Sequence, residues 1–433
     1  MARPIAEAWL VLCMFSLLSM SNAIQWISVP AVAITLQTFF GESSFAINAQ
    51  SLLFMLIYIP APLCAALTER KGLRFTLLLA ALFNLLGALL RTIGSLDPSL
   101  FAVFVFGSIF AAVAQVGILA VPGLLSQLWF EPRLRPVATT IASMANQAGI
   151  ALGFVVTPAA VQSGADFVRF QGGISVVCAL LLLVLARFLP NVSSPAEKGA
   201  KSTRKDLLLL LRNRAFLCST LAFGLATGVF YAWSTVLVQL SAEFQVSEAD
   251  AAMQGFVMVS VGLFGGVGVA GVLSKHNQHA TLYRGALLLA TASLLVWCLG
   301  AFFRAPSWLG FVAVAVYGVC VTALVPIAIE IGTELSFPIN SDLSTGVQFV
   351  AAQIVGILLI IVCTLLLESK DKDTVAVMCV LLVAMAIAAG ASCVMKMEFR
   401  RQDAEAKANR QEHEHEHDVR EHEHDHQSEK SLK

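Results

Sequence analysis

Charge is what this chain has least of. Of its 433 residues, 13% are Asp, Glu, Lys or Arg and 58% are apolar, whereas a water-soluble domain is about a quarter charged and about half apolar. That shortage excludes a soluble globular protein and leaves a polytopic membrane protein whose surplus apolar surface faces lipid. The 28 basic and 28 acidic residues cancel; zero net charge names no partner, and nucleic acid is not expected. The 9 cysteines include no CxxC pair, which argues against zinc or redox motifs. Most lie in apolar runs (Cys13, Cys178, Cys298, Cys320, Cys363) and read as small buried hydrophobes. Nor is a signal peptide expected. Arg3 precedes an apolar run that is too long and ends in no AxA-type site, so that run reads as the first spanning helix. The spans hold no nucleophile–base pair and no metal-ligand cluster, so an enzyme is not expected and no cofactor is.

What remains is apolar runs of spanning length, roughly 20 residues each. Six fall at about 8–38, 47–67, 74–94, 99–128, 136–161 and 171–190, and six at about 214–241, 250–273, 281–303, 307–333, 342–367 and 374–396. Between them runs a polar, basic linker with Glu197, Lys198, Lys201, Arg204, Lys205 and Arg212. The expected domains are a first bundle over 1–190, a cytoplasmic linker over 191–213, a second bundle over 214–396 and a tail over 397–433. Arg70, Lys71 and Arg74 follow span two, Arg133 and Arg135 span four, Lys275 and Arg284 span eight, and Lys396, Arg400 and Arg401 span twelve. The alternate loops carry Glu42, Glu243, Glu248 and Asp250, and around Lys370 and Lys372 come Glu368, Asp371 and Asp373. By the positive-inside rule both termini are cytoplasmic; the plasma membrane is the default address. The tail is charged and apolar-poor, so disorder is expected there. It holds six of the 8 histidines: His413, His415, His417, His422, His424 and His426. Imidazole with carboxylate suits a divalent metal or haem iron, but no spacing fixes a geometry, and a merely solvated tail is the simpler reading.

Three motifs carry chemistry. The loop Thr68-Glu69-Arg70-Lys71-Gly72-Leu73-Arg74 resembles the signature cytoplasmic loop of the major facilitator superfamily, in which an acid, a glycine turn and basic residues latch a half-bundle. Glu69 stands where that pattern often has aspartate. With about twelve spans around it, the resemblance implies an all-α, twelve-helix major facilitator fold of two pseudo-symmetric six-helix bundles. Second, the halves echo each other. Span one carries Ser21-Asn22-Ala23-Ile24-Gln25-Trp26 and span seven Phe230-Tyr231-Ala232-Trp233-Ser234-Thr235. Span five carries Asn146-Gln147-Ala148-Gly149 and span eleven Ala352-Gln353-Ile354-Val355-Gly356. Polar groups at that depth are costly and should face another helix or a cavity. In a pseudo-symmetric transporter these four spans meet at the midplane, which makes Trp26, Gln147, Tyr231 and Gln353 one candidate set; each alone is equally read as a helix–helix contact. Third, spans one, five, seven and eleven have no mid-span Asp, Lys or Arg. Glu330 and Glu334, late in span ten, are the only relay candidates, and they read as a gate salt bridge or interfacial carboxylates. Aromatic faces and amides without an acid suit a quaternary ammonium, which offers no N–H and is held by ring quadrupoles at about 0.5–2 kcal/mol per contact. Choline fits that description without being singled out by it.

Asn22-Ala23-Ile24-Gln25-Trp26-Ile27, Ala114-Gln115-Val116 with Pro122 and Trp129-Phe130, Asn146-Gln147-Ala148-Gly149 with Gly153-Phe154, Gly228-Val229-Phe230-Tyr231, and Pro326-Ile327-Ala328-Ile329-Glu330 running on to Gln353 through Ile357 resemble the feline leukaemia virus subgroup C receptor family. The resemblance runs through nearly all of the membrane domain and lapses at the N-terminus and in the tail. It implies a facilitative transporter of choline or ethanolamine working by alternating access, with haem as the alternative cargo. It implies an aromatic cage of Trp26 and Tyr231, with Gln147 and Gln353 on the polar part of the substrate and Gln115 as a weaker contributor. Glu69, Arg70, Gly72, Arg74, Glu330 and Glu334 take gating or structural roles. Trp233 departs from the pattern; it either tightens the cage or, as expected here, faces lipid. Haem would want histidine in the path, and no span contains one; His276 and His279 sit before span nine.

Overall fold

The computed structural model describes residues 5–60, 71–119, 121–131, 133–190, 204–273, 279–339, 341–369 and 373–395. Apart from a one-turn 3-10 helix at Pro98–Leu100, its elements are α-helices. In chain order they are α1 (Ile5–Ala31), α2 (Ala33–Phe40), α3 (Ser44–Tyr58), α4 (Leu73–Gly94), α5 (Phe101–Leu119), α6 (Pro122–Trp129), α7 (Arg135–Ala160) and α8 (Gly164–Phe188). Then come α9 (Arg204–Arg212), α10 (Arg214–Ala242), α11 (Glu248–Leu273), α12 (His279–Phe302), α13 (Ser307–Ser336), α14 (Ser341–Glu368) and α15 (Thr374–Val394). Among the described residues, 11 helices are long and apolar enough to cross a membrane. The second expected span is represented by α3, of 15 residues, up to the undescribed stretch at 61–70.

Two expected spans are interrupted. The first divides into α1 and α2 at Val32, two residues after Pro30. Proline has no amide proton and its ring crowds the carbonyl four residues back, so the helix cannot run straight through it. Pro122 starts α6 in the same way and divides the fourth span. The basic linker is also not wholly irregular: Arg204-Lys205-Asp206 followed by five leucines and Arg212 forms α9, which packs on α10.

The strongest packing pairs α4 with α5, α11 with α13, α10 with α14 and α1 with α7. The two halves of the chain meet through α7 against α11, α3 against α14 and α1 against α10. In lipid no hydrophobic force draws helices together, so close backbone approach must do it, and small residues permit that approach. Gly149 and Gly153 seat α7 on α1: a Cβ at Gly149 would lie 2.6 Å from the Met20 carbonyl, and one at Gly153 would overlap the Ile27 side chain. Gly224 and Gly228 of α10 meet Ala351, Val355 and Gly356 of α14 in the second half. The glycine pairs thus repeat at corresponding helix pairs, as the internal echo anticipates. Large apolar side chains cover the outside, among them Leu180, Leu183, Phe264 and Val394. Of the cysteines, Cys178, Cys298, Cys320 and Cys363 are buried as expected, but Cys13 is exposed on the outer face of α1. An apolar run tells depth in the membrane, not the side of the helix.

Replacing Gly153 by alanine should lower the melting temperature of the detergent-solubilised protein, because overpacking costs about 1–3 kcal/mol. Ile27→Ala in the same chain should restore much of the loss. Gly318→Ala should not be rescued by any side-chain change, since its Cβ would strike the Met258 carbonyl. A thermal-shift series checks all three.

Candidate functional site

Trp26 and Tyr231 meet at the junction of the halves. The centroids of their rings lie 6.3 Å apart and the ring planes are perpendicular. Trp26 is 6% exposed, and its indole N–H has no acceptor. Tyr231 is half-buried, has Phe230 at 5.9 Å beside it, and accepts at its carbonyl from Thr235 Oγ1 at 2.9 Å. One face of the phenol packs on α14: a Cβ at Gly356 would be 3.3 Å from Tyr231 Cδ2. Gln353 sits one turn earlier on α14, buried, with Oε1 unpartnered. Gln147 is half-buried on α7, two residues before the glycine that packs on α1. Gln115 is half-buried on α5, its Oε1 also without a partner. The aromatics are therefore brought together, Gln353 is on the turn beside them, and Gln147 and Gln115 come from the helices that pack on α1. No charged side chain belongs to this group. One residue that sequence reasoning did not single out joins it: Met55 of α3, whose Cε lies against Gly356.

Asn22 and Gln25 do not point into the path. They turn into the core of the first half, where Asn84 Oδ1 accepts from Asn22 Nδ2 at 2.9 Å and from Gln25 Nε2 at 2.8 Å. Asn22 Nδ2 also reaches the Ala111 carbonyl at 2.8 Å, and Asn84 Nδ2 donates to Ser21 Oγ at 3.0 Å. They face helices, as buried amides must, and leave Trp26 as the member of that stretch at the interface. Trp233 faces neither lipid nor cage. It is fully buried within the second half, edge-on to Trp297 at 5.1 Å and to Tyr317 at 4.8 Å. The helical step from Tyr231 to Trp233, two residues or about 200°, points them to opposite sides of α10.

Glu330 and Glu334 are not the only buried ionisable groups. Arg91, near the end of α4, has no exposed surface. Three residues from the end of an apolar run, an arginine looks from the sequence like the polar edge of a span. Glu334 is buried and Glu330 half-buried on α13. Gly72 has a φ of +86°, the left-handed side that a glycine turn needs, and Arg74 donates to the Ala186 carbonyl at 3.2 Å, tying α4 to α8. Glu69, Arg70 and the six tail histidines lie outside the described residues. Among the described residues no group of three or more His, Cys, Asp or Glu could hold a metal ion.

At one end of the helices, the second half grips the first. Glu248, the first residue of α11, accepts from the amides of Ile34 and Thr35 at 3.1 and 3.4 Å and from Thr35 Oγ1 at 2.6 Å. Glu368, the last of α14, accepts from the amide of Phe45 at 2.6 Å. Both carboxylates sit where a helix N-terminus presents unpaired amides and the positive end of its dipole, but the helices belong to the other half. Just below, Asn48 Nδ2 donates to Gln239 Oε1 at 2.8 Å and to Thr364 Oγ1 at 3.0 Å.

Asn84→Leu should cost more stability than a typical interhelical hydrogen bond in a membrane, about 0.6 kcal/mol. It removes the acceptor of two buried amides at once, and each stranded amide costs about 1–3 kcal/mol. Thr291→Val, whose hydroxyl mainly serves its own helix at Leu287, should cost little. Thermal unfolding of the two variants in one detergent checks the ranking.

The geometry agrees with what the chain is similar to. Residues 11–359 match the family model for the Major Facilitator Superfamily. The human choline/ethanolamine transporter FLVCR2 is 31% identical over 373 residues, covering 81% of this chain and 70% of that protein. A zebrafish (Danio rerio) choline/ethanolamine transporter, flvcr2a, is 31% identical over 376 residues, 82% of this chain and 79% of its own. Among solved structures, a D-xylose–proton symporter superposes with a TM-score of 0.73 at 13% identity, over 90% of this chain and 97% of its own. A bacterial homologue of the human lysosomal transporter Spinster gives 0.70 at 15%, over 91% and 97%. Those two likenesses are of fold alone. The match of residues 11–359 to the family model and the likeness to these transporters along four-fifths of the chain place it in the feline leukaemia virus subgroup C receptor family of the major facilitator superfamily.

Proposed function

We propose that this protein carries choline- or ethanolamine-like amines across the membrane by alternating access, without an ion-coupled relay. The observation that carries the reading is the Trp26–Tyr231 pair. Two aromatic rings, one from each half, stand perpendicular at 6.3 Å, with no charged side chain among them. Opening the pair by a small rotation leaves two π-faces for an ammonium head, each contributing about 0.5–2 kcal/mol. The unpartnered Gln353 Oε1 suits the hydroxyl or amine at the other end of such a substrate. The relatives named as choline/ethanolamine transporters support this cargo.

Transport then follows from relative motion of the halves, 1–190 against 214–396, about the cage. The excess of Lys and Arg after the even-numbered spans supports cytoplasmic termini, and the plasma membrane is the proposed address. On that orientation Glu248, Glu368 and Asn48 close the outer side. Because each carboxylate caps a helix of the opposite half, these bonds exist only while that side is shut, and switching to the outward-open state must break them. The loop Gly72–Arg74 and the carboxylates Glu330 and Glu334 serve the inner side. The histidine-rich tail is proposed only as a loose metal or haem-iron ligand.

The deciding experiment is uptake of labelled choline, beside haem accumulation, in cells expressing this chain with and without Trp26→Ala plus Tyr231→Ala. Saturable choline uptake that collapses by more than tenfold in the double variant is expected, one lost contact being worth roughly that factor. Absent choline flux, with haem accumulation that survives both substitutions and falls on deleting the tail after Arg401, would replace this reading with haem transport. Glu248→Ala with Glu368→Ala should change the maximal rate of choline uptake several-fold at unchanged surface amount and leave the KM nearly unaltered. Concentration series on surface-labelled cells measure both.

A further inference from the structure

Arg91 has no carboxylate partner among the described residues, although a charge this deeply buried ordinarily demands one. Its two terminal nitrogens donate to α1, while Nε is buried without a partner. Nη1 donates to the carbonyl of Gln25, and Nη2 to Ser28 Oγ at 3.1 Å. The guanidinium carbon lies 4.8 Å from the centre of the Phe104 ring. The stem rests on Gly107, where any Cβ would come within 2.9 Å of Arg91 Cγ.

The place it grips is the weak point of the first span. Pro30 offers no amide to the Trp26 carbonyl, and the Val32 amide turns back to the Val29 carbonyl at 3.3 Å. The last turn of α1 therefore exposes carbonyls and the negative end of a helix dipole inside the protein, where a cation is favoured. Arg91 supplies it. Seven residues earlier on the same helix face, Asn84 holds Asn22 and Gln25. The helix α4 thus holds the segment from Asn22 to Ser28 at two levels, two turns apart.

Trp26 lies between the two groups that Arg91 binds, Gln25 and Ser28. Its own N–H bonds to nothing, so no polar contact of the indole fixes its position; the backbone on either side does. We infer that Arg91 is a positioning residue for the substrate cage: by holding the Gln25 carbonyl and the Ser28 hydroxyl it sets where the Trp26 ring meets Tyr231. This rests on the cage reading given under the proposed function.

The test measures choline KM and maximal rate, normalised to surface protein, for wild type, Arg91→Met, Arg91→Lys, Ser28→Ala, Trp26→Ala and the double variant Arg91→Met with Trp26→Ala. Arg91→Met should raise KM about tenfold, the size of one lost cation–π contact. Arg91→Lys, with a single ammonium in place of the fork, should recover part of it. In the Trp26→Ala background Arg91→Met should raise KM no further, because groups acting through one another are not additive. Equal effects in both backgrounds, or a fall in rate that tracks surface protein at constant KM, would overturn the inference. Ser28→Ala keeps the buried cation and answers the same question if Arg91→Met fails to fold. A second readout needs no substrate: in protein labelled with 5-fluorotryptophan, the fluorine resonance lost in Trp26→Phe should shift in Arg91→Lys and in Ser28→Ala, while the Trp233 resonance stays. A shift without choline flux in wild type keeps the positioning and removes the choline reading; no shift removes the positioning alone.

Discussion

No backbone group inside a bilayer can rely on water, and the break in the first span at Pro30 to Val32 is where this chain meets that constraint. The end of α1 offers unpaired carbonyls and the start of α2 unpaired amides. The fold brings a cation beside the first, Arg91 from α4 on the Gln25 carbonyl and the Ser28 hydroxyl, and an anion onto the second, Glu248 from α11. The two come from different halves. The upstream piece is therefore held within its own half, while the downstream piece is held across the interface. A helix broken and satisfied in this way is stable in one arrangement of the halves and must exchange partners in another.

The glycine pairs answer the same constraint by other means. Where helices cannot be driven together by water, they come together because nothing stands between their backbones. Gly149 and Gly153 bring α7 to α1 on the side opposite the amide network, and Gly228 brings α10 to Gly356 beside Tyr231. Trp26 and Tyr231 are thus each carried on a helix that a glycine seats closely against its neighbour. Close packing of this kind transmits position well, so displacement of either helix pair is felt at the rings.

Much of this was legible from residue order. Polar and aromatic side chains at matched depth in spans one, five, seven and eleven have few reasons to exist unless they meet, and Trp26 and Tyr231 do meet. The direction of each side chain around its helix was less legible. Asn22, Gln25 and Trp26 lie within five successive residues, just over one turn, so two face the core of the first half and one faces the second. The same limit hid Trp233, which a two-residue step carries to the far side of α10 from Tyr231. Arg91 was missed for a different reason: a charge near the end of an apolar run looks like the membrane edge unless its surroundings are known.

The sequence by itself determined the class, the apolar segments and the chemistry at their midpoints, because bilayer thickness and the cost of buried polarity act on each segment separately. Only the tertiary structure decided which face each helix turns inward, that Asn22 and Gln25 bond to Asn84, and that a buried arginine donates to the Gln25 carbonyl and the Ser28 hydroxyl of a broken helix. Those outcomes depend on what lies opposite in space, and residues 84, 91 and 248 become neighbours of the one segment from Asn22 to Thr35 only when α4 and α11 close on it.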